Sequence, residues 1–190
     1  MPRIHSWIEA IWISVGVFWA ISAIGLKPTA RRQKLSDRVS SLIPVILAAF
    51  LLFGAWRRFD LLNRTVLPEN AAFEWAGLVV TAAGAALAIY ARARLGMYWS
   101  GTPSIKEGHK LIRTGPYAIV RHPIYSGLLL AVIGTAIAFG EVRHFLAIFL
   151  TWTAWTEKIR EEERLLTEEL GDEYAAYRLQ VKSSMIPYIW

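Results

Sequence analysis

The stretch GHKLIRTGPYAIVRHPIY, residues 108–125, decides how this chain is to be read. It is a polar island that carries His109, Lys110, Arg113, Arg121 and His122 between two strongly apolar segments. Two X-Pro steps, Gly115-Pro116 and His122-Pro123, keep part of it out of regular helix, because proline lacks an amide donor and restricts the residue before it. Pro123 stands where a first-turn proline belongs, immediately ahead of the apolar run 124–140. The start of that helix offers unpaired amides and a positive dipole end, with Arg121 and His122 beside it. Such a combination suits an anion.

Outward from the island the chain is apolar enough to be a membrane protein. Hydrophobic residues make up 55% of 190, nine residues are tryptophan, and the mean hydropathy is +0.35. A helix needs about 20 apolar residues to cross a bilayer. Five runs approach that length and predict spans at 7–26, 42–56, 73–95, 124–140 and 145–156. The first is longer than a signal-peptide core and is followed by no small-x-small cleavage site, so it reads as a retained helix. Pro44 falls in the first turn of the second. On the third, Gly77, Ala82, Ala83, Gly84, Ala85 and Ala86 make one side small, which suits close helix packing in lipid. Arg92 and Arg94 near its end are expected to snorkel to the headgroups, with Tyr98 and Trp99 as interfacial anchors. Only residues 141–144 separate the last two spans, which predicts an antiparallel helical hairpin.

The formal charge of +6 does not mark a nucleic-acid binder, because the basic residues collect in loops between apolar runs. The 27–38 loop and the 92–121 region are rich in lysine and arginine, which predicts the N-terminus outside and the C-terminus in the cytoplasm. With no cysteine, disulfides, cysteine-bound zinc and a cysteine nucleophile are excluded. His5 and His144 fall at the pole opposite the island, and no metal is expected.

Beyond the last span the apolar residues Trp152, Trp155, Ile159, Leu166 and Leu170 recur at helical intervals and share one stripe. Glu162 and Glu163 fall at its two edges, while Arg160, Glu161 and Arg164 fall on the opposite side. The fifth helix therefore runs on past the bilayer and turns two carboxylates toward the protein. Gly171 is expected to close it, with Asp172 capping a short helix that bears Tyr174 and Tyr177 as structural residues.

In order along the chain stand Gly108-His109, Gly115-Pro116-Tyr117, Arg121-His122-Pro123-x-Tyr125, Glu162-Glu163-x-x-Leu166 and Gly171-x-x-Tyr174-x-x-Tyr177. This ordered set, from about 108 to 187, resembles the C-terminal half of the isoprenylcysteine carboxyl methyltransferase family. These are integral membrane enzymes that use S-adenosylmethionine. The resemblance implies an all-α, polytopic membrane protein, one domain over 1–190. Three spans (1–95), a cytoplasmic cofactor loop (96–123) and a helical hairpin (124–157) would precede C-terminal cytoplasmic helices (158–190) that close a cofactor pocket. It also implies a multi-pass protein whose active site faces the cytoplasm, acting on the carboxylate of a prenylated cysteine.

The same resemblance gives roles to residues. Arg121, His122 and Glu162 are the candidate catalytic set. The cofactor's carboxylate suits the helix start at Pro123 with Arg121 or His122, and its amino group or ribose suits Glu162, with Glu163 alongside. Gly108 and Gly115 would permit close backbone approach, and Tyr117 and Tyr125 would pack on the adenosine. His109, Lys110, Leu111 and Pro116 complete the expected lining. No GxGxxG motif is present, so this is not the soluble Rossmann type of methyltransferase. A carboxylate acceptor is already ionised at neutral pH and needs no base. A phospholipid amine or a small thiol, the alternative acceptors, would need one such as His122, His109 or a glutamate. A transporter subunit or scaffold is the competing class, but the spans lack the intramembrane charges and broken helices of a transport path.

Overall fold

The computed structural model describes residues 2–24, 29–32, 35–54, 59–99, 104–106 and 111–187. Among the described residues six α-helices form the architecture: α1 Pro2–Ser22, α2 Leu35–Phe53, α3 Ala71–Leu95, α4 Pro123–Phe139, α5 Val142–Leu170 and α6 Asp172–Gln180. The helical class expected from the sequence holds. One feature was not foreseen: β1 Thr29–Arg32 pairs antiparallel with β2 Ser104–Lys106, with a register irregularity between Thr29 and Arg31. This small ribbon joins the α1–α2 loop to the α3–α4 loop, so the basic loop and the polar island lie at one end of the bundle.

Two helical stretches are long and apolar enough to cross a membrane, Ile4–Ser22 and Ala71–Tyr98. Ile43–Phe53 and Pro123–Phe139 are shorter apolar helices. α5 has 29 residues, roughly 44 Å at 1.5 Å per residue, so it continues well past the length of its apolar first half. α2 begins at Leu35, several residues before the expected span, and this moves Pro44 from the first turn into the helix interior. There it removes one amide from the ladder.

α3 and α4 meet backbone to backbone. A Cβ added at Gly84 would sit 2.4 Å from the amide nitrogen of Ala131, and one at Gly134 would sit 2.4 Å from that of Thr81. Gly77 and Gly127 are equally tight, at 2.5 Å from the amides of Ala138 and Ala88. Of the small residues expected to form one side of α3, Gly77 and Gly84 meet α4 and Ala85 is buried, while Ala82, Ala83 and Ala86 are exposed, since five consecutive residues cannot share one helix face; the buried face continues instead through Thr81, Ala88 and Ala91. Trp12 of α1 reaches the α3–α4 pair by donating its indole N–H to Thr135 Oγ1 at 3.0 Å. α2 packs on α5, with Ala48, Leu52, Val132 and Ala147 in one buried cluster.

Helix ends are tied by arginines. Arg92 does not snorkel: it is 2% exposed and donates to the carbonyl oxygens of Gly96 (2.9 Å) and Ser22, under the Trp99 ring at 4.3 Å. A guanidinium can satisfy the orphan carbonyls of two helix ends at once, and the negative dipole ends favour its charge. That is a better bargain than the headgroups for a side chain one turn from the helix end. Arg94 stays exposed and donates to Thr114 Oγ1 at 2.7 Å. At the other pole Arg143 does for α2 what Arg92 does for α1, donating to the carbonyls of Leu51 (3.1 Å) and Leu52 (3.4 Å). The α4–α5 turn is tight: Gly140 has φ +65°, and the carbonyl of Gly140 accepts from the Val66 amide at 2.7 Å.

Candidate functional site

The site is built where α4 starts and α5 passes. Gly115–Ala118 forms a 3-10 turn, and the chain then bends through Arg121 and His122 into Pro123, the first residue of α4. Arg121 donates through Nε to Glu163 Oε1 at 2.7 Å, the two side chains being 8% and 14% exposed. His122 Nε2 lies 3.1 Å from the same oxygen, and His122 Nδ1 lies 3.5 Å from Glu162 Oε2. Tyr125, one turn on, donates its hydroxyl to Glu162 Oε1 at 2.6 Å. Glu161 turns outward and pairs with Arg164 at 2.6 Å. Glu162 and Glu163 meet the island and Glu161 does not, as the helical phase predicted, while Leu165, off the predicted stripe, is buried as well.

Electrostatics follow from this geometry. Burial alone would lower the His122 pKa, but hydrogen bonds and charge from Glu162 and Glu163 outweigh it and raise it above the usual histidine value. Burial would raise Glu163, yet His122 and Arg121 hold it down to about 2. Glu162 is likewise lowered, burial being outweighed by His122, Lys158 and Tyr125. The cluster therefore sets the His122 ring and the Arg121 guanidinium against two carboxylates, which favours the charged imidazole, each ring nitrogen of His122 facing a carboxylate oxygen.

Lys158 was missed by sequence reasoning. It lies one turn before Glu162 on α5, with Nζ 5.4 Å from the centre of the Tyr125 ring, and its pKa is lowered by burial against the pull of Glu162. The i,i+4 spacing to Glu162 was the available signal. His122, Tyr125 and Trp155 form a run of stacked rings, with centroids 5.9 and 5.6 Å apart, leading from the charged cluster into the apolar α4–α5 contact.

The C-terminal segment closes over the island. Arg113 pairs with Glu173 at 2.8 Å, and the Tyr177 hydroxyl donates to the Tyr117 carbonyl at 2.7 Å. Leu111 packs with buried Tyr174, Tyr177 and Val181, and the Tyr174 hydroxyl is buried with no hydrogen-bond partner among the described residues. Arg121 Nη1 donates to the carbonyls of Val181 (2.8 Å) and Lys182 (2.6 Å), and the amides of Arg121 and His122 donate to those of Ser183 and Ser184. The Arg121 guanidinium and the backbone amides of Arg121 and His122, next to the expected anion position, are thus engaged by the protein's own tail.

The remaining expected residues are placed as follows. Gly115 has φ +63°, and a Cβ there would come within 3.0 Å of the Tyr90 hydroxyl, so its glycine serves a turn and a tyrosine. Pro116 and Tyr117 are buried, the Tyr117 hydroxyl donating to the Ala91 carbonyl at 3.3 Å, so this ring braces α3. Gly171 caps both α5 and α6, leaving Asp172 as the first residue of α6. Gly108, His109 and Lys110 lie outside the described residues. No group of three or more metal-ligating side chains occurs among the described residues.

Comparison with known proteins points to the same family as the motifs. Residues 75–168 match the model of the isoprenylcysteine carboxyl methyltransferase family. The chain is 34% identical over 85 residues to protein-S-isoprenylcysteine O-methyltransferase B of Arabidopsis thaliana, covering 44% of this chain and 43% of that one. The Schizosaccharomyces pombe protein-S-isoprenylcysteine O-methyltransferase is 37% identical over 84 residues, 44% of this chain and 35% of its own. The Rattus norvegicus enzyme of that name is 29% identical over 146 residues, 72% of this chain and 49% of its own. The chain spans less than half the length of these relatives. The family match begins in α3, upstream of the island, and ends before Gly171.

Proposed function

We propose, from a stretch 75–168 that belongs to the isoprenylcysteine carboxyl methyltransferase family, that this chain is a membrane methyltransferase using S-adenosylmethionine. Its acceptor is a lipidic carboxylate, in the first place that of a prenylated cysteine. Five spans carry it, with the N-terminus outside and the island in the cytoplasm. The observation that carries the choice of acceptor is the engagement of His122. Both ring nitrogens face carboxylates that hold its proton, so it is no general base, and a carboxylate acceptor needs none.

The residues present fit such a cofactor in part. Glu162 can take its amino group or ribose, and the Tyr125 ring, with its hydroxyl on Glu162, offers an aromatic wall. Bound there, the cofactor supplies a methyl group on a sulfonium. The chain's part is to orient the two reactants in line and to keep water out, which can account for much of a displacement barrier. Arg121 acts at one remove: it fixes Glu163, which fixes His122 and the tail. Lys158, at the lipid side of Glu162, is the cation placed to meet the acceptor's carboxylate as it arrives along the His122–Tyr125–Trp155 rings.

Titration of the chain in detergent with S-adenosylhomocysteine tests the class. Saturable binding is expected, weakened about tenfold to a hundredfold in Glu162→Gln, the range for losing a charged hydrogen-bond partner. Glu161→Gln should bind as the parent does, and equal losses at both positions would refute the assignment. Labelled methyl transfer to a prenylated cysteine acid tests the acceptor. A rate nearly flat between pH 6 and 9 is expected, with Lys158→Met raising KM about tenfold and leaving cofactor binding unchanged. A rate climbing steeply through that range would point to an amine or thiol.

A further inference from the structure

The outward face of α5 turns from apolar to charged after a short distance. Leu146 and Phe149 are 43% and 64% exposed there. Glu157 and Arg160 follow, an ion pair at 2.6 Å with side chains 70% and 65% exposed. Residue 157 stands eleven positions after 146, and 160 eleven after 149, which is close to three helical turns, so all four share one stripe. Charge therefore enters the stripe roughly 16 Å beyond Leu146. The hydrocarbon core of a bilayer is about 30 Å thick.

The neighbouring helices fix the height of that charge. Leu129 of α4 packs with Trp155 and Ile159, which flank Glu157 along α5. The close approaches of Gly127 to Ala88 and of Gly84 to Ala131 put Leu129 level with Ala86 of α3. Beyond Ala86 the first exposed charge on α3 is Arg94, about 12 Å further on, Arg92 being buried. On the α4 side charge begins at His122, about 10 Å beyond Leu129. α2 agrees with α5. Ala48 and Ala147 share one buried cluster, and Arg38 and Glu157 each lie ten positions from them toward the island, so charge enters both helices at one height.

A bilayer meets a short apolar band by thinning or by snorkelling of the flanking side chains. Helical side chains lean toward the helix N-terminus, which for α5 is the pole away from the island. Glu157 and Arg160 therefore lean away from the nearer headgroups, and snorkelling is the poorer remedy. We propose that the α2–α5 face draws the headgroups of the island-side leaflet inward by about 10 Å, to the height of Glu157. Lys158 is the next residue, and Glu162 lies one turn on from Lys158. A carboxylate borne by a lipid in that leaflet thus reaches the site from the side without crossing hydrocarbon. The dent rests on the membrane reading of the chain, and its use by an acceptor rests on the methyltransferase reading.

The chain has no cysteine, so single introduced cysteines carry spin labels without background. In phosphatidylcholine vesicles, label depth is read from collisions with oxygen and with a water-soluble nickel chelate. A label at Thr156→Cys on α5 is expected about 10 Å nearer the headgroups than one at Ala86→Cys, its level on α3. Labels at Phe149→Cys and Val79→Cys, matched in the same way in the other leaflet, should lie equally deep. An offset of the same size at both pairs would mean a tilted bundle and overturns the inference. Glu157→Leu combined with Arg160→Leu lengthens the apolar stripe. The offset should then shrink to about 3 Å or less, the rise of two residues, with S-adenosylhomocysteine binding unchanged. Equal depths at Ala86 and Thr156 in the parent, or an offset that survives the double substitution, also overturn it. A parent that binds no S-adenosylhomocysteine would refute the methyltransferase reading, while the depths would still decide this one.

Discussion

Glu163→Gln is expected to abolish measurable S-adenosylhomocysteine binding and to lower the melting temperature, the largest effect of any single charge removal in this chain. Glu163 Oε1 is the acceptor for Arg121 Nε, for His122 Nε2 and, at 3.4 Å, for Ser184 Oγ. Arg178 Nε stands 3.8 Å from its other oxygen. Glutamine keeps the shape but leaves two cations, each with a side chain 8% exposed, facing a neutral amide. Breaking a buried pair by removing one partner costs on the order of 3–5 kcal/mol. Glu161→Gln disturbs only a surface pair, worth about 0–1 kcal/mol.

The pH dependence carries the signature. Glu163 is held at about 2, so its contribution is present above the ordinary carboxylate range and lost only as pH falls toward that value. His122 is raised, so its contribution is full below about 6.5 and fades as pH climbs through its folded value. Thermal melts of the parent and the variant should differ most between about pH 4.5 and 6.5. The gap should narrow at higher pH to the share that belongs to Arg121. A gap independent of pH would remove His122 from the cluster.

Gly84→Val is expected to prevent the helical bundle from forming, and Gly84→Ala to cost the upper part of the roughly 1–3 kcal/mol typical of overpacking. The added Cβ would meet the Ala131 amide at 2.4 Å and the Gly127 carbonyl at 2.5 Å, and both are backbone. No rotamer change relieves that contact; α4 itself must move, and Pro123, His122 and the charged cluster move with it. Gly16 on α1 is the control, since nothing lies within 4 Å of a Cβ added there. Gly16→Ala should be neutral or stabilising, by up to about 1 kcal/mol of helix propensity. Size-exclusion profiles and melts in one detergent check both. Equal stability of the two alanine variants would mean the α3–α4 contact is looser than the backbone distances indicate.

What the sequence made legible was periodic or punctuated. The α5 stripe assigned Glu162 and Glu163 to the island and Glu161 away from it, because helical phase propagates rigidly from Trp152. Pro123 marked the start of α4, and Gly77 and Gly84, though not Ala82, Ala83 or Ala86, marked the α3 face that α4 covers. What stayed hidden depended on partners far along the chain. Arg92 reads as a snorkelling residue from its neighbours alone, since the Ser22 carbonyl it caps is 70 positions away. Gly115 reads as room for a ligand until Tyr90 is seen against it. The tail's hold on Arg121 runs through backbone carbonyls, which leave no trace in residue identity. The β1–β2 ribbon pairs two loops over some 70 positions, where short polar strands carry no period to detect.

That last hold has an evolutionary consequence. Four successive carbonyls, from Val181 to Ser184, are what the Arg121 guanidinium and the amides of Arg121 and His122 recognise. Every amino acid presents the same carbonyl, so the exposed Lys182 is free to drift at little cost to the bend, whereas buried Val181 and Ser184 are held by their side chains as well. The length of this stretch is not free. Inserting or deleting one residue between Tyr177, anchored on Tyr117, and Met185, fully buried, would turn alternate carbonyls away from their donors. Natural variation should therefore appear here as substitutions in an alignment column and almost never as a gap.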